Sequence, residues 1–499
     1  VPIVSQDGSA AVARGSALPA WLGRLALPLI LSLGAALRFA NLGENSLWSD
    51  EAYSVDMSNR DPFEIIRRSA AVDSHPPLYY LLLRGWISIF GDSEYAVRGL
   101  SAVIGVLVIA VVYRLGVEIA GRYVGLVAGL LAAVSPFYVL YSQEARMYIL
   151  AALMTGLSFL FLLRLLETRS RRNAVLYVLA TSLLLYTHVY GLFVLLAQAI
   201  IVLHRVHSAA PSARRGELRR WAGVLGAVIA LYLPWLAVIA KQTGDEFRGT
   251  VNTNISWIET PSPGDILDTL IAYAGSGLAL AVIALVAAGA VLVGIRGIRS
   301  GERLTPPVEA AFGGKHAPLL ALWFVTPIVV PFLVSIVILP IYVTKYTIPA
   351  SVAFYLLVST SIGRFGRGLI GVILLGAVVA LMIEGTVSYH RSYTTAPWRE
   401  ATAFLDEQAR SGDVILFDKD FSRTNSFAYY WHRDDVFPQD HEDELPPAAD
   451  RVWVVISLVP EDPGAVPAML ESAGYAQELD RFWEGTPGGI ELLLFERPT

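Results

Sequence analysis

The chain of 499 residues contains no cysteine. That excludes a disulfide framework, cysteine-ligated metal and thiol chemistry. Charge is scarce too: Asp, Glu, Lys and Arg make up 16% of the residues, against about 25% in soluble domains. Nor is there a basic excess, since the formal net charge is −5, so nothing marks a nucleic-acid partner. Apolar residues fill the space instead, at 55% of the chain and a mean hydropathy of +0.53. A soluble fold of this size could not hide that much apolar surface. A bilayer could, at about 20 apolar residues per span.

Apolar runs lie at 22–40, 94–117, 122–141, 147–166, 173–187, 190–205, 221–240, 277–295, 317–339, 342–361 and 368–387. They predict a mainly α protein, a polytopic membrane helical bundle of about eleven spans. The run Leu22 to Ala40 follows Arg14 and Arg24 and closes on Arg38-Phe39 without a small-residue cleavage site. It therefore reads as an uncleaved first span rather than a signal peptide. The stretch Asn173 to Arg205 has to cross twice, turning at His188-Val189-Tyr190-Gly191, or else holds two buried half-spans.

Arginine sorts the loops. Arg164, Arg169, Arg171 and Arg172, then Arg205 to Arg220, then Arg296, Arg299 and Arg303, then Arg364 and Arg367 all fall on one side when the spans are counted as above. The positive-inside rule makes that side cytoplasmic. The N-terminal tail 1–21 is then inside, 22–387 is the membrane domain of a cell-membrane protein, and 388–499 is outside. Asn41–Ser93 and Lys241–Ser276 also face outward. The C-terminal part alternates helix and strand: Trp398–Arg410, Val414–Phe417, Thr424–Trp431, Arg451–Ser457, Gly464–Ala473 and Ile490–Phe495. This predicts a small α/β domain. It carries no phosphate loop, nucleophile elbow or metal spacing, and reads as an accessory cap.

Candidate chemistry sits in the outward loops. In Ser49-Asp50-Glu51-Ala52-Tyr53, Ser49 is placed to cap a short helix with both acids in its first turn. The positive end of a helix favours ionised carboxylates. Such groups accept protons or hold a divalent cation. Asp61-Pro62-Phe63-Glu64 starts another helix, read as amphipathic and lying on the membrane. Ser74-His75-Pro76-Pro77 holds a histidine at the mouth of a further apolar helix, where it either caps or binds phosphate or metal. In the second outward turn, Tyr141-Ser142-Gln143-Glu144-Ala145-Arg146-Met147-Tyr148, a Glu and an Arg lie close to hydrocarbon. That is costly unless they pair internally or face a cavity. The fork of Arg146 suits phosphate oxygens.

These motifs, in this order, resemble glycosyltransferase family 39, which includes protein O-mannosyltransferases and the aminoarabinose transferase acting on lipid A. The resemblance spans Leu22–Val387 and rests on Ser-Asp-Glu-Ala-Tyr, His-Pro-Pro-Leu-Tyr-Tyr and Tyr-Ser-Gln-Glu-Ala-Arg-Met-Tyr. Thr187–Gly191 and Tyr342–Tyr346 are similar too. The resemblance implies a GT-C fold, a polyprenyl-phosphate sugar donor, and transfer to a lipid, glycan or protein acceptor outside the cytoplasmic membrane. It implies Asp50 as the catalytic carboxylate with Glu51 as companion. His75, Tyr79, Tyr80, Glu144, Arg146, Tyr148, His188, Tyr190 and Lys345 are the expected substrate contacts. Asp50, Glu51 and His75 are the expected ligands if a divalent metal, Mg or Mn, takes part. The lipid A enzyme has an acid and a Lys before its Pro-Pro, where this chain has Ser74 and His75. From another class, a transporter or flippase of polyprenyl-linked sugars would also carry polar residues at span ends. It predicts related halves and midplane sites, whereas here the polar motifs cluster on one side and no internal repeat is evident.

Overall fold

The computed structural model describes residues 20–71, 73, 75–248, 257–299, 314, 316–417, 423–440, 449–457, 465–486 and 488–498. Every predicted apolar run lands on a helix. Numbered in chain order, these are α1 (Ala20–Phe39), α5 (Glu94–Ala120), α6 (Arg122–Val134) continued by α7 (Pro136–Ser142), α8 (Tyr148–Glu167), α9 (Arg171–Thr187), α10 (Gly191–His207), α11 (Pro211–Phe247), α13 (Gly277–Arg299), α14 (Ala317–Val337), α15 (Ile348–Arg364) and α16 (Leu369–Ser392). Shorter helices lie between them: α2 (Ser49–Ser58), α3 (Pro62–Ala71), α4 (Leu78–Phe90) and α12 (Pro263–Ala274). Among the described residues, six helices are long and apolar enough to cross a membrane, or eight if each bent pair counts as one span. The chain is a multi-pass membrane protein of mainly helical fold. Three of the eleven expected spans fall outside that number: α1, and α9 and α10, which have only 17 residues each. Two separate helices do form there, with the turn at His188–Tyr190, as the double crossing required.

The break between α6 and α7 bends the chain by 58°. Its cause is local: Pro136 has no N–H to give, and Ser135 Oγ accepts from Tyr138 N (3.1 Å) to start the next helix. The carbonyls released at the end of α6 need donors. Arg38 supplies them from α1, giving NH2 to Ala132 O (2.9 Å) and NH1 to Ala133 O (3.0 Å). Its Nε donates to Ser142 Oγ (3.1 Å). Ser142 thus serves this buried arginine and not the start of α8, whose N-cap is Met147. Close packing of α5 on α6 depends on Gly116 and Gly125, because a Cβ on Gly116 would stand 2.7 Å from Gly125 Cα.

The C-terminal part has its own core. A five-stranded sheet runs in the order β2-β1-β3-β5-β4, with β1 (Val414–Phe417), β2 (Phe437–Asp440), β3 (Arg451–Ser457), β4 (Ala476–Trp483) and β5 (Ile490–Glu496). β1 is parallel to β2 and β3; β5 is antiparallel to β3 and β4. Side chains alternate across it. Ile415, Phe417, Trp453 and Val455 pack with α17 (Trp398–Gln408) on one face; Val414, Leu416, Val452 and Val454 pack with α18 (Ala465–Ser472) on the other. The two strands not anticipated, β2 and β4, are both edges. Edge strands need no apolar alternation, and β2 even carries Pro438.

Arg164 pairs with Glu118 and Arg169 with Glu217 at one end of the bundle. The motif loops and the C-terminal sheet gather at the other.

Candidate active site

Helix α2 places the first acids. Its N-cap is Trp48, in extended conformation, with Ser49 already helical. The expected Ser49 cap is replaced because Glu51 reaches back to Trp48 N (3.4 Å). At the far end, Arg84 from α4 donates to Arg60 O just past the last turn. The helix is thus held at both ends before any ligand is considered.

Successive residues on a helix diverge by about 100°, so Asp50 and Glu51 cannot face the same space. Glu51 points inward, 1% exposed, and takes a bidentate contact from Arg98 of α5 at 2.8 and 2.6 Å. It also accepts from Ala145 N (2.9 Å). With both oxygens committed, Glu51 ties α2 to α5 and to the second outward turn. Glu51, expected as a catalytic companion and metal ligand, thus stands as the buried partner of Arg98. Among the described residues no three His, Asp or Glu side chains gather to hold a metal ion. The trio Asp50, Glu51 and His75 is therefore not assembled for Mg or Mn.

Asp50 is left 38% exposed, and its Oδ2 lies 3.7 Å from Arg146 NH2 and 3.8 Å from Lys345 Nζ. Both gaps exceed a hydrogen bond, in contrast to the 2.6 Å of the Glu51–Arg98 pair. The two cations reach Asp50 from chain segments about 100 and 300 residues away. Arg146 is buried and held by Asp50 O and Ser54 Oγ, both at 3.2 Å. Lys345 is surrounded by the rings of Trp48, Tyr148, Trp257 and Tyr346 at 5.1 to 5.9 Å. Such rings fix an ammonium through their negative faces without neutralising it.

The remaining expected contacts split into two groups. His75 and His188 face each other with ring centroids 5.2 Å apart, and Tyr346 packs on both. His188 Nδ1 accepts from Tyr190 N (3.2 Å), so the proton of the neutral ring sits on Nε2. Burial, with Arg146 nearby, pushes His188 down to about 3 and His75 well below its usual value. For His75, expected to cap or to bind phosphate or metal, burial thus favours the neutral form. Tyr79, Tyr80 and Tyr190 are spent on scaffolding. Tyr79 bonds Ser101 (2.9 Å), Tyr80 donates to Asp73 (2.7 Å), and Tyr190 donates to Ile341 O (2.7 Å). Three buried N–H groups near Asp50 make no hydrogen bond to other described residues: Trp48 Nε1, Arg146 Nε and His188 Nε2. Donors around one accessible carboxylate suit an oxygen-rich anionic ligand.

Asp73 and Arg98 were overlooked in the sequence. Asp73, buried, accepts from His75 N (2.9 Å) and from Tyr80. It supplies an acid one residue ahead of Ser74, which lies outside the described residues. Arg98 had a visible signal, a charge inside an apolar run.

Glu144 is buried beside Lys345 and Asp50, and burial raises its pKa to about 8 from 4.5. Between those values the native state keeps a proton that the unfolded chain has lost, so this group lowers stability as pH rises from about 4.5 to 8. Glu144→Gln should remove that slope. The check is the thermal midpoint at pH 5 and pH 8 for both proteins; identical slopes would mean that Glu144 is ionised in the fold.

Over residues 74–239 the chain matches the family described as dolichyl-phosphate-mannose-protein mannosyltransferase. In fold it is similar to ArnT from Cupriavidus metallidurans in the apo state, at 14% identity, 95% of this chain, 98% of that one and a TM-score of 0.60. The same protein bound to undecaprenyl phosphate aligns at 14% identity, 96% and 98% coverage and a TM-score of 0.58. The archaeal oligosaccharyltransferase AglB from Archaeoglobus fulgidus, in complex with an inhibitory peptide and a dolichol-phosphate, aligns at 12% identity, 83% and 60% coverage and a TM-score of 0.51. No curated protein matches this chain in sequence. At these identities the likeness to the solved structures is one of fold.

Proposed function

Taking as premise a chain that is glycosyltransferase family 39-like in its motifs and GT-C in its fold, we propose that it moves a sugar from a polyprenyl-phosphate donor to an acceptor hydroxyl at the outer face of the cytoplasmic membrane. One observation carries this reading: Asp50, accessible, stands between Arg146 and Lys345, brought together from three distant segments at one end of an apolar bundle. The polyprenyl tail needs an apolar groove among helices, and the phosphate needs cations at the boundary. ArnT, similar in fold, has been solved bound to undecaprenyl phosphate.

In the proposed step the acceptor oxygen attacks the anomeric carbon. The bond from that carbon to the phosphate oxygen breaks, and the lipid monophosphate leaves with the electron pair. Asp50 takes the acceptor's proton late in the transition state. A single displacement inverts the anomeric centre. Arg146 and Lys345 stabilise the charge gathering on the departing phosphate, and the neutral His188 offers a further N–H. Asp50 faces two cations, and the proposed step uses no metal ion. The N-terminus is proposed to lie inside and the C-terminal sheet outside.

The test is the purified protein with a panel of polyprenyl-phosphate sugars and hydroxyl acceptors, with and without chelator. The expected result is release of polyprenyl phosphate with inversion, persisting under chelation. Movement of lipid-linked sugar across sealed vesicles without bond cleavage would replace this reading with transport. Arg146→Ala should raise the donor KM about 10-fold or more, equivalent to roughly 1.4 kcal/mol, and leave the acceptor KM nearly unchanged. Equal losses on both substrates would make Arg146 a packing residue.

A further inference from the structure

The C-terminal domain reads from sequence as an accessory cap, yet it is fastened to the short loop that leads into α2 and Asp50. Leu47 N donates to Tyr430 Oη (2.8 Å), and Tyr430 Oη donates to Glu94 (3.1 Å). Arg399 donates to the same Glu94 oxygen (3.1 Å) and to Gly43 O and Glu44 O (3.3 and 2.8 Å). Thr395 Oγ1 donates to Ser46 O (2.7 Å). Asn425 Nδ2 donates to Ser49 Oγ (3.1 Å), the residue directly before Asp50. None of these contacts touches the space around Arg146 and Lys345.

The membrane-side anchor is one turn of α5. Glu94 and Arg98 are i and i+4, so they share a helix face. Glu94 holds Tyr430 and Arg399, while Arg98 holds Glu51 and the carbonyls of Leu42, Asn45 and Ser46. The loop 42–49 is therefore gripped between α5 and a domain that is more than 340 residues away in sequence. Leu42 and Leu47 are buried, and the backbone between them is held by hydrogen bonds. Its geometry is set by those polar bonds, and Asp50 inherits it.

We propose that the C-terminal domain is part of the catalytic apparatus, with Tyr430 and Asn425 as positioning residues that set the place of Asp50 through the backbone of Leu47 and the hydroxyl of Ser49. This rests on the transferase reading above. Small displacements of a reacting group cost rate while leaving ligand affinity alone, because a shift of about 1 Å can cost about 100-fold.

Tyr430→Phe removes one oxygen and keeps the ring. The expected result is a fall in kcat of about 10-fold with the donor KM within about twofold. Amide exchange at Leu47–Glu51 should quicken about 10-fold, and binding of undecaprenyl phosphate should be unchanged. Asn425→Ala should repeat the pattern more weakly. Unchanged kcat and unchanged exchange in both variants would overturn the proposal. So would a parallel loss of kcat and of undecaprenyl phosphate binding, which would mark general destabilisation. The exchange measurement needs no turnover, so it reads the clasp even if the wild-type protein transfers no sugar, an outcome that would count against the transferase reading alone.

Discussion

Asp50→Asn stops sugar transfer while the protein inserts, folds and binds undecaprenyl phosphate as before. The variant keeps the size and polarity of the side chain and removes only its ability to take a proton. General-base catalysis contributes about 10²- to 10⁴-fold, and the adjacent carboxylate is not free to substitute: Glu51 has both oxygens engaged by Arg98 and Ala145. Folding should be spared because Asp50 is 38% exposed and its ion pairs are long, at 3.7 and 3.8 Å. The contacts that hold α2 run through Glu51, Arg84 and the backbone instead. Turnover is measured with the donor that serves the wild type, and lipid binding is followed separately. Near-normal turnover in this variant would refute the assignment of Asp50.

Arg98→Met should unfold the outer end of the bundle at lower temperature. Arg98 is 5% exposed and Glu51 1% exposed. Removing one member of a buried ion pair leaves the other charge without compensation, at a cost of about 3 to 5 kcal/mol. Arg98 also satisfies three backbone carbonyls of the loop 42–46, and those lose their donor as well. The double variant Glu51→Gln with Arg98→Met should recover part of the loss, because no isolated charge is then buried. Thermal midpoints of the three proteins in one detergent decide the matter. An unchanged midpoint in Arg98→Met would show that the pair contributes nothing to the fold.

The membrane class and the helix positions were readable because both come from local, repetitive properties. A run such as 147–166, with Arg164 as its one charge, can be little else. The buried central strands β1 and β3 were equally plain, being short continuous apolar runs. The edges β2 and β4 were not, since an edge strand is stabilised by a neighbour that the strand itself does not reveal.

At the site, motifs far apart in sequence come together around Asp50, but their order does not give the orientation of individual groups. Asp50 and Glu51 looked equivalent as two first-turn acids. Which one faces Arg98 and which faces the open side depends on how α2 is rolled against α5. From sequence the charge of His75 is open, because an isolated imidazole titrates near neutral pH; its burial against His188 and Tyr346 favours the neutral ring. Arg98 could have been flagged, whereas Tyr430 and Asn425 offered no signal, lying in a polar stretch with no motif.

The amino-acid order alone determined that this chain is helical, apolar and membrane-spanning, with its polar motifs at one end, because hydropathy and helix period act over a few neighbouring residues. Tertiary structure decided which carboxylate is free, which histidines stay neutral and what grips the loop before Asp50. Those outcomes depend on distances between side chains hundreds of residues apart, and on the dielectric each one meets once packing has excluded water.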